Sequence, residues 1–369
     1  MTEPDSLQFV GLNQVRLRRR ILTYFSGCDY FRLARDPRVA QAARAALRRH
    51  GLNVAASRRT TGNHRIYALL EAALTDFFEA EAALLLPDGY FAPLAVAQAL
   101  AGEYTHVLVD ELAHGALQDA AQMLAGTVTS FKHRDAGALA RLAAKCGKDS
   151  RPIVLTDGMF SHDGSVAPLR GYLKILPARG LLVVDDAHGV GVLGATGQGT
   201  LEHAGVSRQR IVQCATLSKA FGAYGGVVLG SGALREQILE HSRLFAGTTP
   251  LPPPLAGAAL TALRILRREP RRRTRLHQNA LRVRARLRAA GWDIPEMPGP
   301  IVRLPPLEET QVGALKSRLL AAGIYPPFLK YGNSSASGYF RFVISSEHTR
   351  AQLDELINLL AAFKSAFTK

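Results

Sequence analysis

"QCATLSKAFGAYGG", residues 213–226, puts one long amine where an apolar run gives way to a glycine-rich turn. The residues leading into it, "RIVQCATL", read as a strand. Those that follow include Gly222, Gly225 and Gly226, so the backbone can approach another group closely. Thr216 and Ser218 add two hydroxyls beside Lys219. A lysine amine held next to a carbonyl and kept from being too basic is a nucleophile, most commonly for a Schiff base.

Working outward, the same rhythm recurs. Short apolar runs end in polar residues: "HVLVD" at 106–110, "PIVLTDG" at 152–158, "GLLVVDDAHG" at 180–189 and "GGVVLGS" at 225–231. Helical patterns lie between them, one from about 113 and one over 135–146. Nearly continuous apolar strands alternating with helices predict an α/β fold, a mostly parallel sheet covered by helices. Ligands of such sheets bind beyond the carboxyl ends of the strands. Asp157, Asp185, Asp186, His188, Thr216 and Lys219 are therefore expected to converge.

The loop "TTPLPPP" at 248–254 breaks the rhythm. Beyond it come a long helical stretch, strand-like segments near 300–304 and 339–345, and a closing amphipathic helix carrying Leu353, Leu356, Ile357, Leu360 and Phe363. The expected organisation is an N-terminal segment 1–45, a large domain 46–250 and a small C-terminal α+β domain 251–369. Composition leaves open whether 1–45 packs on the small domain or on a partner subunit.

A chain of 369 residues, 47% hydrophobic, can bury one large core and a smaller one. It has no apolar run long enough for a membrane helix and no signal-peptide pattern at its start. Three dispersed cysteines, Cys28, Cys146 and Cys214, argue against disulfides and zinc and suit the cytoplasm. The net charge of +16 owes much to the arginines of 264–288. No aromatic residue in that stretch could stack on bases, so nucleic acid is not the expected partner. A solvated helix face, or attraction to an acidic substrate or partner, remains open.

Pyridoxal phosphate (PLP) would need an acid at its ring nitrogen, a partner for its phenolic oxygen, packing on its ring faces and a phosphate cradle. Asp185 can supply the acid, His188 the phenolic partner and Ala187 a flat contact. "PDGYF" at 87–91 opens a helix with a glycine, a pattern that suits an anion. His114, in "DELAHGAL", follows the next strand and could stack on a ring.

In this order "DGY", "DELAHGAL", "FSHDG", "VDDAHGVGVLGATGQG" and "TLSKAFGAYGG" resemble the α-oxoamine synthases, fold-type I PLP enzymes. The resemblance runs from about residue 20 to 365. It implies a large domain with a mostly parallel sheet plus a small C-terminal α+β domain. It also implies condensation of a small amino acid with an acyl thioester (acyl-CoA or acyl carrier protein), usually decarboxylative, to an α-amino ketone. By the resemblance, Lys219 matches the Schiff-base lysine and acid/base, Asp185 the ring-nitrogen partner, and His188 and Ser161 the phenolic-oxygen side. His114 matches the ring stack, with Ala187 opposite, while Gly89, Tyr90 and Thr216, with Ser218, match the phosphate site. Thr248 and Thr249 match a segment that reaches the other subunit's phosphate, which implies a homodimer with shared sites. Arg341, in "GYFRFVISSEH", matches the anchor for the substrate carboxylate.

The match departs from the family at four places. "CDYFRL" has Cys28 where the family has an asparagine near the substrate carboxylate. Lys330 in "GIYPPFLK" stands for a second, mobile arginine. "GNHRIY" has Tyr67 for a histidine, and Arg134 replaces an asparagine. These changes surround the substrate ends of the site, so other fold-type I chemistry (aldolase, lyase or aminotransferase) is the alternative. A non-catalytic subunit is disfavoured by Lys219.

Overall fold

The computed structural model describes residues 6–330 and 338–366. The chain opens with short strands β1 (Gln8–Phe9), β2 (Gln14–Leu17) and β3 (Arg20–Thr23). Next come β4 (Ala82–Leu86), β5 (His106–Asp110), β6 (Thr127–Phe131), β7 (Pro152–Asp157), β8 (Leu181–Asp185), β9 (Ile211–Thr216) and β10 (Gly226–Gly230). Late in the chain are β11 (Ile301–Arg303), β12 (Phe328–Leu329) and β13 (Tyr339–Val343).

Two compact units result. The first comprises Leu33–Phe160 and Ser165–Pro270; the second takes residues up to Arg32, the short segment Ser161–Gly164, and the chain from Arg271 onward. These bounds differ from the expected 46–250 and 251–369. The helix Pro253–Arg268 packs on the helices Pro37–His50 and Arg65–Phe78, so both it and residues 33–45 belong to the first unit.

The first unit holds a seven-stranded sheet in the order β4-β10-β9-β8-β7-β5-β6. The strands from β5 to β9 pair in parallel, as the near-continuous apolar runs require. Alternate residues serve opposite faces. Val107, Val109, Ile153, Leu155 and Val183 pack into one core, and Leu108, Val154, Leu182 and Val184 into another. β10 runs antiparallel to both neighbours. The connection 217–225 is too short for a crossover, so it returns the chain as a hairpin.

That hairpin connection carries Lys219, and a glycine seats it. Gly222 has φ +56°, and a Cβ there would lie 2.2 Å from the Ala34 backbone nitrogen. Only glycine lets the turn sit on the 33–34 backbone.

In the second unit β1, β2 and β3 form a small antiparallel sheet that the sequence pattern did not announce. β11 and β12 flank β13, and helices Arg271–Ala289, Glu309–Ala321 and Arg350–Ala366 share a core with this sheet that includes Leu287, Trp292, Phe340, Phe342, Leu356 and Phe363. Much of the arginine-rich stretch is occupied within the unit. Arg272 and Arg275 both engage Glu347, and Arg282 pairs with Asp354 at 2.5 Å.

One ion pair ties a helix to the first unit's sheet. Glu71, on Arg65–Phe78, meets Arg58 through both oxygens at 2.5 and 3.1 Å and accepts the Leu85 N–H of β4 at 2.9 Å. Both side chains are buried. Arg58→Met leaves Glu71 as an uncompensated buried charge, so urea denaturation should show a loss of about 3–5 kcal/mol. An unchanged midpoint would show that this bond does not hold the helix.

Candidate active site

The carboxyl ends of β7, β8 and β9 bring the polar residues of the first unit together. Lys219 Nζ lies 2.7 Å from His188 Nε2, and His188 is buried. Asp185 ends β8, three residues before His188, and its Oδ1 accepts the Ala187 N–H at 3.1 Å. The strand–loop junction thus turns Ala187 and His188 back over the end of their own strand.

Asp157 stands directly opposite Asp185 in the β7–β8 register. Its Oδ2 accepts the His114 N–H at 2.8 Å, which fixes the start of the helix Gly115–Met123. The Nδ1 of His114 caps that helix by accepting the Ala116 N–H at 3.2 Å. Burial, and then the neighbouring Asp185, push the Asp157 pKa well above the usual carboxylate range. Asp157 appears in the sequence only as one more strand-ending acid. Its bond to His114 depends on two strands becoming neighbours, and no local spacing encodes that.

Behind this pair, Asp186 accepts the Thr200 N–H and the Gln213 side-chain N–H, each at 2.7 Å, and also the Thr200 hydroxyl. Burial raises its pKa to about 7, against the pull of those hydrogen bonds. This network anchors the loop after β8. Gln213 and Thr200 carried no recognisable signal in the sequence.

Gly89 packs on Thr216. A Cβ at residue 89 would lie 2.7 Å from Thr216 Cβ and 2.8 Å from its Oγ1. Thr216 and Ser218 share a hydrogen bond of 2.8 Å. Tyr90 N–H bonds the Asp88 carboxylate at 2.8 Å, its hydroxyl engages Asp119, and its ring stands edge-on to His114. Gly89, Thr216 and Ser218 are therefore gathered, while Tyr90 joins through His114. The Thr248 hydroxyl donates to Leu244 O at 2.6 Å, closing its own helix.

Ser161, Cys28, Lys330 and Arg341 belong to the second unit. Arg341 Nη1 donates to Ser161 O at 2.7 Å. The Arg341 side chain is 9% exposed, and its Nε is buried without a hydrogen-bond partner. Cys28 is half-buried beside Tyr30, and Lys330 is exposed.

Two departures have physical accounts. Tyr67 hydroxyl donates to Leu251 O at 2.7 Å beneath the Arg58 guanidinium, so the aromatic ring closes the core at this point. Arg134 adopts φ +56°, a left-handed conformation that asparagine enters more easily. Its N–H on Asp110 at 2.9 Å and its Nε on Val166 O at 2.8 Å hold it there.

A family model described as aminotransferase class I and II matches residues 26–360. The chain is 38% identical over 349 residues to the 8-amino-7-oxononanoate synthase of Thioalkalivibrio sulfidiphilus, covering 93% of this chain and 88% of the relative. It is 37% identical to the enzyme of the same name from Methylococcus capsulatus, covering 91% and 88%. Among solved structures it is similar to serine palmitoyltransferase from S. paucimobilis with a bound PLP–myriocin aldimine, at TM-score 0.91 and 26% identity, over 98% of this chain and 92% of that one. Sphingomonas wittichii serine palmitoyltransferase gives TM-score 0.90 and 25% identity over 97% and 90%. The chain belongs to the α-oxoamine synthases of the class I and II aminotransferase family, and it is a PLP-dependent acyltransferase of fold-type I.

Proposed function

We propose that this enzyme condenses alanine with a seven-carbon acyl thioester bearing a terminal carboxylate, with loss of carbon dioxide. The contact that carries the reading is Lys219 Nζ against His188 Nε2 at 2.7 Å, beside Asp185. The substrates follow from the name of the relatives' product. In 8-amino-7-oxononanoate the amine-bearing end is what alanine leaves after decarboxylation. The remaining seven carbons carry the ketone at one end and an acid at the other.

The residues present fit the cofactor. Two buried carboxylates side by side call for a proton or a cation, and a pyridinium meets that need at Asp185. The Gly89–Thr216 contact, with Ser218, offers hydroxyls and a close backbone approach for a phosphate. When bound, PLP supplies an electron sink for the charge that develops at the amino acid's α-carbon.

In this reading Lys219 binds the cofactor and then moves the α-proton. His188 holds the lysine amine in place, and the family match assigns it, with Ser161, to the phenolic-oxygen side. Asp185 keeps the ring nitrogen protonated. Asp157 holds the His114 backbone, so that the imidazole covers one ring face while Ala187 covers the other. Arg341 pairs with the substrate carboxylate, consistent with its buried, unpartnered Nε. The family match assigns Cys28 and Lys330 to the amino-acid end.

The acyl carrier in this proposal is coenzyme A or an acyl carrier protein. The internal pairing of Arg272, Arg275 and Arg282 leaves less of the arginine-rich stretch for docking than its charge suggests. The proposal includes a homodimer, on the family match at Thr248 and Thr249, and a cytoplasmic location, on three free cysteines. No helix among the described residues is long and apolar enough to cross a membrane.

Alanine plus the acyl thioester should release free thiol in step with an amino ketone, and borohydride reduction should fix the cofactor on the Lys219 peptide. Lys219→Ala should lower turnover by about three orders of magnitude or more. Transfer of the amino group without thiol release would instead point to aminotransferase chemistry.

The Asp157 environment makes a second prediction. A carboxyl whose folded pKa is raised loses stability as pH rises from the unfolded value, about 4, toward the folded one. Asp157→Asn keeps an acceptor for the His114 N–H and removes that loss. The cofactor-free variant should melt at or above the wild-type temperature at neutral pH, and the difference should vanish in acid. A variant less stable than wild type at neutral pH would show that Asp157 is not strained by burial.

A further inference from the structure

In the second unit, the segment 293–306, which includes β11, lines a half-open cavity of about 300 Å³ that also takes in Asp163 and Arg284. Arg284 comes from the helix Arg271–Ala289 and is 2% exposed. A guanidinium carries five N–H groups. Among the described residues, the hydrogen bonding of Arg284 is one bond, from Nη2 to Ile301 O at 2.6 Å. No carboxylate forms an ion pair with it among the described residues. Asp163 acts on it only through the longer-range field, while burial and then Arg288 pull its pKa down to about 10. A cation held this way has an unmet demand for an anion.

The second cation on the wall is already engaged, because Arg303 stacks on the Tyr339 ring at 4.5 Å. Asp163 and Asp293 also line the cavity. The two acids offset the two arginines, so the wall offers one uncompensated guanidinium at Arg284, a match for a single carboxylate and a poor one for a dianion such as phosphate. The rest of the wall is largely carbon, including Met297 and Leu304. The volume would hold about ten water molecules, which suits a short organic acid.

We propose that this cavity binds a small monocarboxylate with an apolar tail, its carboxylate paired with Arg284 and its tail against Met297 and Leu304. Arg341 is the cross-strand partner of Arg303 but does not line the cavity, and the proposal does not depend on the acyltransfer reading.

The test uses the full chain with its cofactor and hexanoate as the probe. Calorimetry should detect hexanoate binding, and hexylamine should give none. Trp292 is the one tryptophan in the chain, is buried, and adjoins Asp293 and Ile294 of the wall, so its emission should change on binding. Arg284→Met, and separately Met297→Trp to fill the cavity, should each weaken calorimetric binding about tenfold or more. Arg341→Ala should leave it intact. If Arg284→Met does not fold, Met297→Trp decides. The proposal fails if wild type does not bind hexanoate, if Met297→Trp binds it as well as wild type, or if Arg341→Ala abolishes binding. Phosphate binding as tightly as hexanoate would overturn the assigned ligand class.

Discussion

Two carboxylates, Asp157 and Asp185, stand opposite one another at the ends of adjacent parallel strands, out of reach of bulk water. Burial, and then the neighbouring Asp185, make ionisation of Asp157 costly and push its pKa well above the usual carboxylate range. In the proposed function, a protonated ring nitrogen against Asp185 offsets that cost. On that reading the sheet holds an electrostatic demand that the cofactor answers. The surrounding features serve that demand. The Asp186 network holds the loop after β8, Gly222 seats the turn that carries Lys219, and Asp157 fixes the backbone of His114.

The parts of this site that lie within one short stretch were legible from sequence. Lys219 beside Thr216 and Ser218, and Asp185 three residues before His188, follow from a strand ending in a polar turn. The apolar runs of β5, β7 and β8 likewise announced a parallel sheet, since strands buried on both faces have no room for alternation. What could not be read is what distant chain segments do to each other. The Asp157–His114 bond, the Arg341–Ser161 contact and the Gly89–Thr216 approach each join residues far apart in sequence. The reversal of β10 was implicit in the short connection 217–225, but the boundary near residue 270 was not. It depends on the helix Pro253–Arg268 finding two partners much earlier in the chain.

Charge was the least transparent feature of the sequence. An excess of arginine suggests a docking face for an acidic carrier. In the folded second unit, however, Arg272, Arg275 and Arg282 meet acids of the same unit, and Arg284 is buried. Net charge speaks to long-range attraction but not to which cations are free to act. Substitutions at family positions behave in the same way. Tyr67 and Arg134 read as departures in substrate-facing segments, yet each has a local hydrogen-bonding role.

The central claim is that Asp185 keeps the cofactor's ring nitrogen protonated against the surrounding sheet. Nitrogen-15 NMR of the enzyme loaded with ring-labelled PLP measures that state directly. The account predicts a pyridinium shift that stays constant through neutral and mildly alkaline pH and moves to the neutral-pyridine value in Asp185→Asn. A wild-type signal at the neutral-pyridine position, or one that titrates through neutral pH, would contradict it.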